Sequence, residues 1–363
     1  MNVLKHAVGR IFWALAVVFA VASASFFLLN ALPGDPARVV AGPQARPEDL
    51  ARVREELQLD QPIVIRYGLF LRTLGHVANP KADAERGQVE KERELKSGLE
   101  KPKRAAHATC QRVASLAGGY EFHVDFGRSY QHRAPVAKVI FERYPRSLAL
   151  AIAGIFLQLV IGVTLGAIAA AKKGTWIDRF VTSLTSLAVS APTFLTAVLL
   201  QYLFAHRFRL LPLDGFGDTF AGHIRSIALP ALTLGLYGAA YFARLTRDEL
   251  ITLMSQDFVR TARAKGASRL RAFVVHGLRG ALLPLATAAG LELGALASGA
   301  AVTESIFRWP GLGHLGVEAV LNRDGPMVIG VVFVAASSVV IATAAIDIFG
   351  YWLHPLARAK SSN

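Results

Sequence analysis

The chain has 363 residues, of which 53% are hydrophobic and 18% are charged, and its formal net charge is +14 at pH 7. In a soluble protein so basic a balance would suggest nucleic-acid binding, but here the apolar residues are concentrated in runs of about 20, the length that crosses a bilayer. An excess of Lys and Arg then marks the cytoplasmic side of a membrane protein, and no nucleic-acid partner is expected. The single cysteine, Cys110, excludes an internal disulfide.

The first apolar run extends from about Ile11 to Leu32, behind Lys5 and Arg10. Its basic start and the small residues "ASAS" at 22–25 are typical of a secretory signal peptide. A cleaved signal has an apolar region of only about 7–15 residues, whereas "FFLLNAL" lengthens this run to spanning size. We therefore expect residues 1–32 to form an uncleaved transmembrane helix.

A long polar region, residues 33–146, follows the first run. "RPEDLARVREELQL" (46–59) and "QPIVIRYGLFLRTLG" (61–75) predict two short helices. A charged insert at about 76–120 alternates in sign, which indicates a solvated helix or a disordered segment, with a docking site for a partner as the alternative. Residues 123–147 predict a bend and then a helix that leads into the next run.

Five further apolar runs follow, at about 147–171, 178–205, 227–246, 284–307 and 327–353. Together with the first run they predict an all-α polytopic membrane protein with six transmembrane helices, in which residues 147–353 form a five-helix domain. The spacings Gly162–Gly166 and Gly290–Gly294 are the small-xxx-small pattern that lets membrane helices pack closely.

Basic residues between the runs place both termini on the cytoplasmic side. They precede the first run, separate the second from the third and the fourth from the fifth, and lie near the end of the chain: Lys5, Arg10, Lys172, Lys173, Arg179, the stretch 258–284, Arg358 and Lys360. Residues 33–146 then form a large extracytoplasmic loop, and residues 354–363 form a cytoplasmic tail.

The stretch "FVRTARAKGASRLRAFVVHGLRGALLP", residues 258–284, is strongly basic and contains no Asp or Glu. Asp257 is expected to cap a helix that begins at Phe258, and Gly266 to end it, because Gly adopts the left-handed conformation without steric cost. Ser268 is expected to cap a second helix.

The apolar residues of that second helix recur at helical spacing, at Leu270, Phe273, Val274, Gly277, Leu278 and Ala281. One interpretation of this cytoplasmic helix–turn–helix is a surface attracted to anionic lipid headgroups. The tight turn, capped on both sides, favours instead a short helix that inserts into a groove on another protein.

Motifs for nucleotide or catalytic chemistry are missing from the sequence. G-x-x-x-x-G-K-[ST] does not occur, so no nucleotide hydrolysis is expected in this chain. "GLGHLG" at 311–316 follows Trp309-Pro310 and an apolar run rather than a β-strand, which favours glycine turns at a membrane surface over a dinucleotide site. Without H-E-x-x-H, G-x-S-x-G or a Cys/His cluster, we expect neither a catalytic nor a metal site.

Three acidic residues lie in or near the predicted spans. Glu292 is near the middle of the fifth, where an ionisable side chain lines a polar path or makes a structural hydrogen bond. Glu304 and Asp347 are near helix ends, where ion pairing or snorkelling is expected.

Residues 258–284 resemble the cytoplasmic coupling loop of ABC importer permeases, in the form found in the dipeptide/oligopeptide/nickel family. Other segments are similar to that family in the same order, and they spread over most of the chain: "LNALPGDPA" (29–37), "DFGRSY" (125–130), "LPALTLGLYGAAYFARLTRDEL" (229–250), "TESIFRWPGLGHLGVEAVLNRDGPMVIG" (303–330) and "DIFGYWLHP" (347–355).

The resemblance implies a permease subunit in the bacterial inner membrane, with a coupling loop at 250–283 that transmits the motion of separate ATPase subunits. Carried over residue by residue, it places the coupling contact at Arg260, Thr261, Ala262, Arg263, Ala264, Lys265, Gly266 and Ala267. The implied partners are a homologous second permease, two ATP-binding subunits, an extracytoplasmic substrate-binding protein and membrane lipid. ATP and Mg²⁺ would bind those ATPase subunits, so this chain is expected to hold no cofactor and to be no enzyme.

The sequence departs from the family pattern in three places. Thr261-Ala262-Arg263 stands where the generic signature begins Glu-Ala-Ala, although the peptide family usually has this form. His354-Pro355-Leu356 replaces Asp-Pro-Arg, and the charged insert is long for the family. Peptides are the expected solutes, with nickel chelates or other small solutes as the alternative. A secondary transporter fits less well, because no internal repeat or proton chain is evident.

Overall fold

The computed structural model describes residues 2–31, 35–42, 44–56, 59–74, 76–78, 111–115 and 121–353. They are predominantly helical and divide into two compact units. The first unit comprises the described parts of 1–17, 144–314 and 334–363, and the second comprises those of 18–143 and 315–333.

The chain begins with the helices α1 (Asn2–Ala31), α2 (Pro36–Ala41), α3 (Pro47–Glu56) and α4 (Ile63–Leu74). The last two confirm the short helices predicted for this region. Within the second unit the Phe26 ring of α1 stacks on Phe70 of α4 with ring centroids 5.1 Å apart, and the hydroxyls of Ser23 and Tyr67 lie 2.7 Å apart. Aromatic packing with one polar link therefore joins α1 to α4.

The structure contains a three-stranded antiparallel sheet that the all-α prediction did not include. Its strands are β1 (His76–Ala78), β2 (Gln111–Ser115) and β3 (Glu121–Val124), in the order β1-β3-β2. Strands of three to five residues leave too few alternating positions for a sequence pattern to reveal them. The interior of the charged insert, residues 79–110, lies outside the described residues, and so does its predicted form.

A buried carboxylate organises the other end of the second unit. Asp324 accepts hydrogen bonds from the Ser129 hydroxyl, from the Gln131 amide at 3.2 Å and from the Met327 amide at 3.3 Å. Burial, and then the charge of Asp324, raise the pKa of Tyr130 to about 12. The "DFGRSY" segment is therefore joined to the loop before residue 325 through one acidic side chain.

The longer helices follow residue 135: α5 (Val136–Ala171), α6 (Trp176–Ser190), α7 (Thr193–Leu200), α8 (Phe220–Met254), α9 (Asp257–Ala264), α10 (Arg269–Arg271), α11 (Arg279–Ala297), α12 (Ala301–Ile306), α13 (Leu312–Leu321) and α14 (Gly325–Leu353). Two π-helical segments, Gln201–Arg207 and Ala272–Leu278, continue α7 and precede α11.

Among the described residues, four helices are long and apolar enough to cross a membrane: Val136–Ala171, Phe220–Met254, Arg269–Ala297 and Gly325–Ile346. A bent helix pair would make a fifth span, and the first predicted run contributes a shorter apolar helix, Ala16–Leu28. The structure thus describes a multi-helical membrane protein, while the predicted total of six spans stays a prediction.

Two of the predicted spans were wrong, because the structure interrupts each of them where a continuous helix was expected. The third, 178–205, is broken between α6 and α7 with a bend of 99°, because Pro192 cannot continue the hydrogen bonds of α6. The fifth, 284–307, ends at Ala297, because Gly299 has a φ of +111° that a helix cannot contain. The six residues of α12 therefore form a separate helix.

Glycines bring the helices of the first unit into close contact, which confirms the interpretation of both small-xxx-small spacings. A Cβ on Gly162 of α5 would lie 2.7 Å from the Ala239 carbonyl oxygen of α8. A Cβ on Gly290 of α11 would lie 2.8 Å from the Ile346 Cδ1 of α14. Both helix pairs therefore pack too closely for side chains at these positions.

We expect Gly166→Ala to lower stability by about 1–3 kcal/mol, because the added methyl group overlaps the Ala243 backbone and lies 2.7 Å from Thr246 Cβ. Gly68→Ala in α4 is the matched control, since no atom lies within 4 Å of its Cβ. Thermal melting of the two purified variants in detergent checks this. A Gly166→Ala protein that melts at or above the temperature of the control contradicts close packing at this site.

Candidate functional site

The predicted helix–turn–helix is present in the first unit, and its turn has a defined hydrogen-bond pattern. After α9 the amide of Gly266 donates to the Arg263 carbonyl at 3.0 Å, and the amide of Ala267 donates to the Ala262 carbonyl at 3.1 Å. Gly266 has a φ of +92°. These features define a Schellman motif, which confirms Gly266 as the residue that ends the helix.

The two predicted caps differ in outcome. Ser268 is confirmed, because its hydroxyl accepts a hydrogen bond from the Arg271 amide at 3.2 Å. Asp257 was the wrong residue for the first cap: α9 begins at Asp257 itself, and Gln256 is the cap position, without a side-chain bond. Asp257 instead pairs with Arg260 at 3.5 Å, and its charge lies in the first turn, where the helix dipole favours an acid.

The predicted apolar stripe is only partly confirmed. Gly277 and Ala281 are buried, and Phe273 and Leu278 pack against a core cluster that includes Phe242, but Leu270 and Val274 are exposed. The reason is the π-helical segment Ala272–Leu278, whose longer turn brings residues five apart onto one face. Ala272 and Gly277 are such a pair, and both are buried.

The site is anchored to the end of α8 by a few small contacts. A Cβ on Gly277 would lie 3.3 Å from Leu250 Cδ2 and 3.3 Å from Met254 Sδ. Val259 is the one residue of α9 that is buried. The π-helical segment after the turn is therefore held close to α8, while most side chains of α9 are exposed and free for a partner.

The residues predicted for the coupling contact lie together on α9 and its turn. Arg260, Thr261, Arg263, Ala264, Lys265 and Gly266 are exposed, and Ala262 and Ala267 are half-buried. The other basic residues of the stretch, Arg269, Arg271 and Arg279, are also exposed. The arrangement is a short, fixed helix with a cationic surface.

An ion pair that sequence reasoning missed fixes α6 to α8. Asp178 is buried and accepts from Arg247 Nε at 2.6 Å, from Arg247 Nη2 at 3.0 Å and from the Gly174 amide at 2.9 Å. Such a bidentate pair sets the relative orientation of the two helices. Asp178 and Arg247 are 69 residues apart, and the only sequence signal is an acid in an otherwise basic segment.

Glu304 is fully buried and lies within a network of hydrogen bonds. Its carboxylate accepts from the Ser147 hydroxyl at 2.8 Å, from the His314 amide at 2.9 Å and from the Ala300 amide at 3.3 Å. The expectation of ion pairing or snorkelling was wrong here, because hydroxyl and backbone donors satisfy the carboxylate instead.

The glycines of "GLGHLG" are explained by the same network. A Cβ on Gly311 would lie 2.5 Å from Glu304 Oε2, and a Cβ on Gly313 would lie 2.7 Å from the Ala301 amide nitrogen. These glycines let the chain fold around the carboxylate. Five of the six residues of this segment lie inside α13 (Leu312–Leu321), so the predicted glycine turns were wrong. The element before the segment is the helix α12 and not a strand, which agrees with the rejection of a dinucleotide site.

Glu292 lies in α11 and is half-buried. Helical geometry places it on the same face as Leu285 and Leu296, and Leu296 reaches 3.7 Å from the position of a Cβ on Gly154 of α5. Among the described residues, the Glu292 carboxylate has neither a hydrogen bond nor an ion pair. Its role in a polar path therefore stays a prediction. The side chain of Asp347 lies outside the described residues.

Two sequence models match the chain. "Binding-protein-dependent transport system inner membrane component" matches residues 162–359, and the N-terminal model of the same transport-system membrane components matches residues 3–85. The first match covers more than half of the chain and includes the whole helix–turn–helix.

Named relatives agree with these matches. A Brucella abortus (strain 2308) protein described as a peptide transport system permease is 36% identical over 324 residues, which are 88% of this chain and 88% of the relative. The glutathione transport system permease protein GsiC of Salmonella typhimurium is 31% identical over 357 residues, 98% of this chain and 100% of its own length.

Among solved structures, a chain of the MetNI methionine ABC transporter aligns with 61% of this chain and 98% of its own, at 18% identity and a TM-score of 0.48. The assignment to a family rests on the sequence models and the named relatives. The chain belongs to the binding-protein-dependent transport system inner membrane components, as an ABC importer permease of the peptide/oligopeptide family.

Proposed function

We propose that this chain forms half of the translocation path of an ATP-driven importer and receives the motion of separate ATPase subunits through α9. The observation that carries the proposal is the exposed cationic helix Asp257–Ala264, closed by the Schellman turn at Gly266. A rigid element that two subunits can both displace is what coupling between their states requires.

The geometry supports a protein partner over a lipid surface. A helix that only adheres to anionic headgroups needs charge and an apolar face, but it needs no fixed direction. Here the turn has two backbone hydrogen bonds, Val259 is buried, and Gly277 holds the segment after the turn close to α8. A fixed direction is what insertion into a groove demands.

The complete transporter would contain a homologous second permease, two ATP-binding subunits and an extracytoplasmic binding protein, with lipid around the spans. The family description names binding-protein dependence, which supports the last of these partners. ATP and Mg²⁺ would bind the ATPase subunits rather than this chain. With the basic element facing those subunits, both termini would be cytoplasmic.

Peptides are the solute class we propose. Relatives are named for peptide transport and for the transport of glutathione, itself a tripeptide, and the latter matches 98% of this chain. Nickel chelates or another small solute would use the same architecture, and a gradient-driven secondary transporter is the lower alternative.

Reconstitution with the partner subunits tests both driving force and solute. Proteoliposomes that contain ATP or ADP are supplied with binding protein and a labelled dipeptide, glutathione or a nickel chelate. We expect peptide uptake that requires ATP and is unaffected by a protonophore. Uptake in ADP vesicles that follows an imposed proton gradient contradicts the proposal, and uptake of the nickel chelate alone would replace the solute class.

A further inference from the structure

The central helix of the first unit, α8, exposes a polar stripe. In its most apolar 18-residue window 67% of residues are buried, against 28%, 22% and 17% in the other three candidate spans. Between Ser226 and Arg247 only Tyr237, Tyr241 and Arg244 are exposed. Their spacing of four and three residues places all three on one face of the helix.

The stripe continues toward the end of α8 with Asp248 and Thr252, which are also exposed and again follow at four-residue steps. Every exposed residue from 237 to 252 is therefore polar or a tyrosine. A hydrocarbon-facing surface of this length would hold hydroxyl groups and two charged side chains, which is costly in lipid.

The other candidate spans expose different chemistry. The exposed face of α5 includes Ile152, Phe156 and Val160, and that of α14 includes Val339 and Ile341. These apolar side chains are compatible with contact to lipid. The polar exposed face of α8 and the apolar exposed faces of α5 and α14 therefore occur in the same unit. Lipid contact explains α5 and α14, but it does not explain α8.

Arg244 is the charged member of the stripe within the apolar part of α8. Its neighbour one turn on, Arg247, is paired with Asp178 and Asp248. Among the described residues, Arg244 has no such ion pair. An exposed guanidinium toward the cytoplasmic end of a candidate span calls for water or an anionic group in front of it.

A cavity of about 230 Å³ adjoins the stripe. Tyr237 forms part of its wall, with the apolar residues Ile161, Leu165, Leu184, Ala188 and Leu236 from α5, α6 and α8. Tyr237 thus belongs both to the polar stripe and to the wall of a mainly apolar cavity, the combination of an apolar lining with a few polar groups that is typical of ligand sites.

We propose that Tyr237, Tyr241 and Arg244 line the water-filled translocation path of this subunit, and that Arg244 makes its inner part electropositive. The proposal rests on the proposed transport function for its choice of solute: a positive path suits solutes that carry a carboxylate, such as peptides with a free carboxyl terminus. It differs from the assignment of Glu292, which lies on another helix.

Cysteine accessibility tests the lining in the assembled transporter. In a Cys110→Ser background, Tyr237→Cys and Tyr241→Cys are compared with Phe156→Cys and Val160→Cys, the matched positions on the apolar face of α5. The probe is a charged methanethiosulfonate. We expect the α8 thiols to react at least about tenfold faster, because a thiol must ionise in water to react. Equal rates at the two pairs of positions overturn the proposal.

The role of Arg244 has its own readout. Each reaction rate at Tyr241→Cys is first divided by the rate of the same reagent with a free thiol. An anionic methanethiosulfonate should then react several-fold faster than a cationic one, because Arg244 lies one turn away. Arg244→Gln should remove that preference, and Arg244→Lys should keep it. A preference that is the same in all three overturns the electropositive path. Neither readout uses ATP or solute, so either result is separable from failure of the proposed function.

Discussion

Gly266→Pro should abolish ATP-driven uptake while the transporter still assembles. The native φ of +92° is incompatible with the proline ring, which holds φ near −65°, and the hydrogen bond from the Gly266 amide to Arg263 at 3.0 Å is lost. Nothing lies within 4 Å of a Cβ at this position, so the conformation and not the space is what the glycine provides. The end of α9 would therefore change direction.

Gly266→Asn is the matched control, because asparagine tolerates the left-handed region and should retain most of the uptake. Uptake by Gly266→Pro should fall to background, at least about tenfold below the asparagine variant, since proline cannot adopt the positive φ that sets the direction of the turn. Uptake of labelled peptide and ATP hydrolysis are measured in the same proteoliposomes. A proline variant that assembles and transports like the asparagine variant would remove α9 from the coupling role.

Ala264→Glu addresses the surface rather than the fold. Ala264 is exposed and lies in the last turn of α9, so a larger acidic side chain there displaces no part of this chain. The substitution should lower coupled uptake by disturbing the contact with a partner, and the variant should melt like the wild type.

Glu304→Ala should destabilise the protein more than any surface change. The Ser147 hydroxyl and the amides of Ala300 and His314 would lose their shared acceptor in a fully buried site. Each buried donor left unsatisfied costs about 1–3 kcal/mol, so the sum is several kcal/mol and a large part of a typical folding free energy.

Glu304→Gln separates shape from hydrogen bonding, because one oxygen can still accept from Ser147 and Ala300 while the amide group faces the His314 amide. An intermediate loss is expected. Glu318→Ala on α13 is the control, since this acid is half-buried and should change stability by no more than about 0.5 kcal/mol. Thermal melting, monitored by size-exclusion chromatography after heating, checks this order of stability. A Glu304→Ala protein as stable as the Glu318→Ala control contradicts the network.

Local features of the site were predictable from the sequence. The stop at Gly266 and the cap at Ser268 depend on backbone preferences of single residues, and both are confirmed. The stripe after Ser268 was predicted with a helical period of 3.6, and the π-helical segment Ala272–Leu278 changed that period. The sequence of this segment carries no signal for a π-helix, because the π-helical turn depends on packing against α8.

Long-range contacts were beyond sequence reasoning. Asp178 and Arg247 meet because α6 and α8 pack together, and Ser147 meets Glu304 across 157 residues. Hydropathy found the apolar runs, but it could not show that Pro192 bends the third one by 99°. Membrane helices tolerate proline and glycine, so the same letters are compatible with a straight span or a broken one.

The continuity of α8 has a mechanical consequence. A single helix, Phe220–Met254, carries the tyrosines of the polar stripe and ends three residues before α9 begins. Tyr237 lies 17 residues from Met254, or about 26 Å along the axis at 1.5 Å per residue. A tilt of about 10° that pivots at Met254 would shift Tyr237 sideways by about 4–5 Å, roughly the width of a side chain. In the proposed transporter, this helix would therefore be long enough for a small rotation near α9 to open or close the proposed passage.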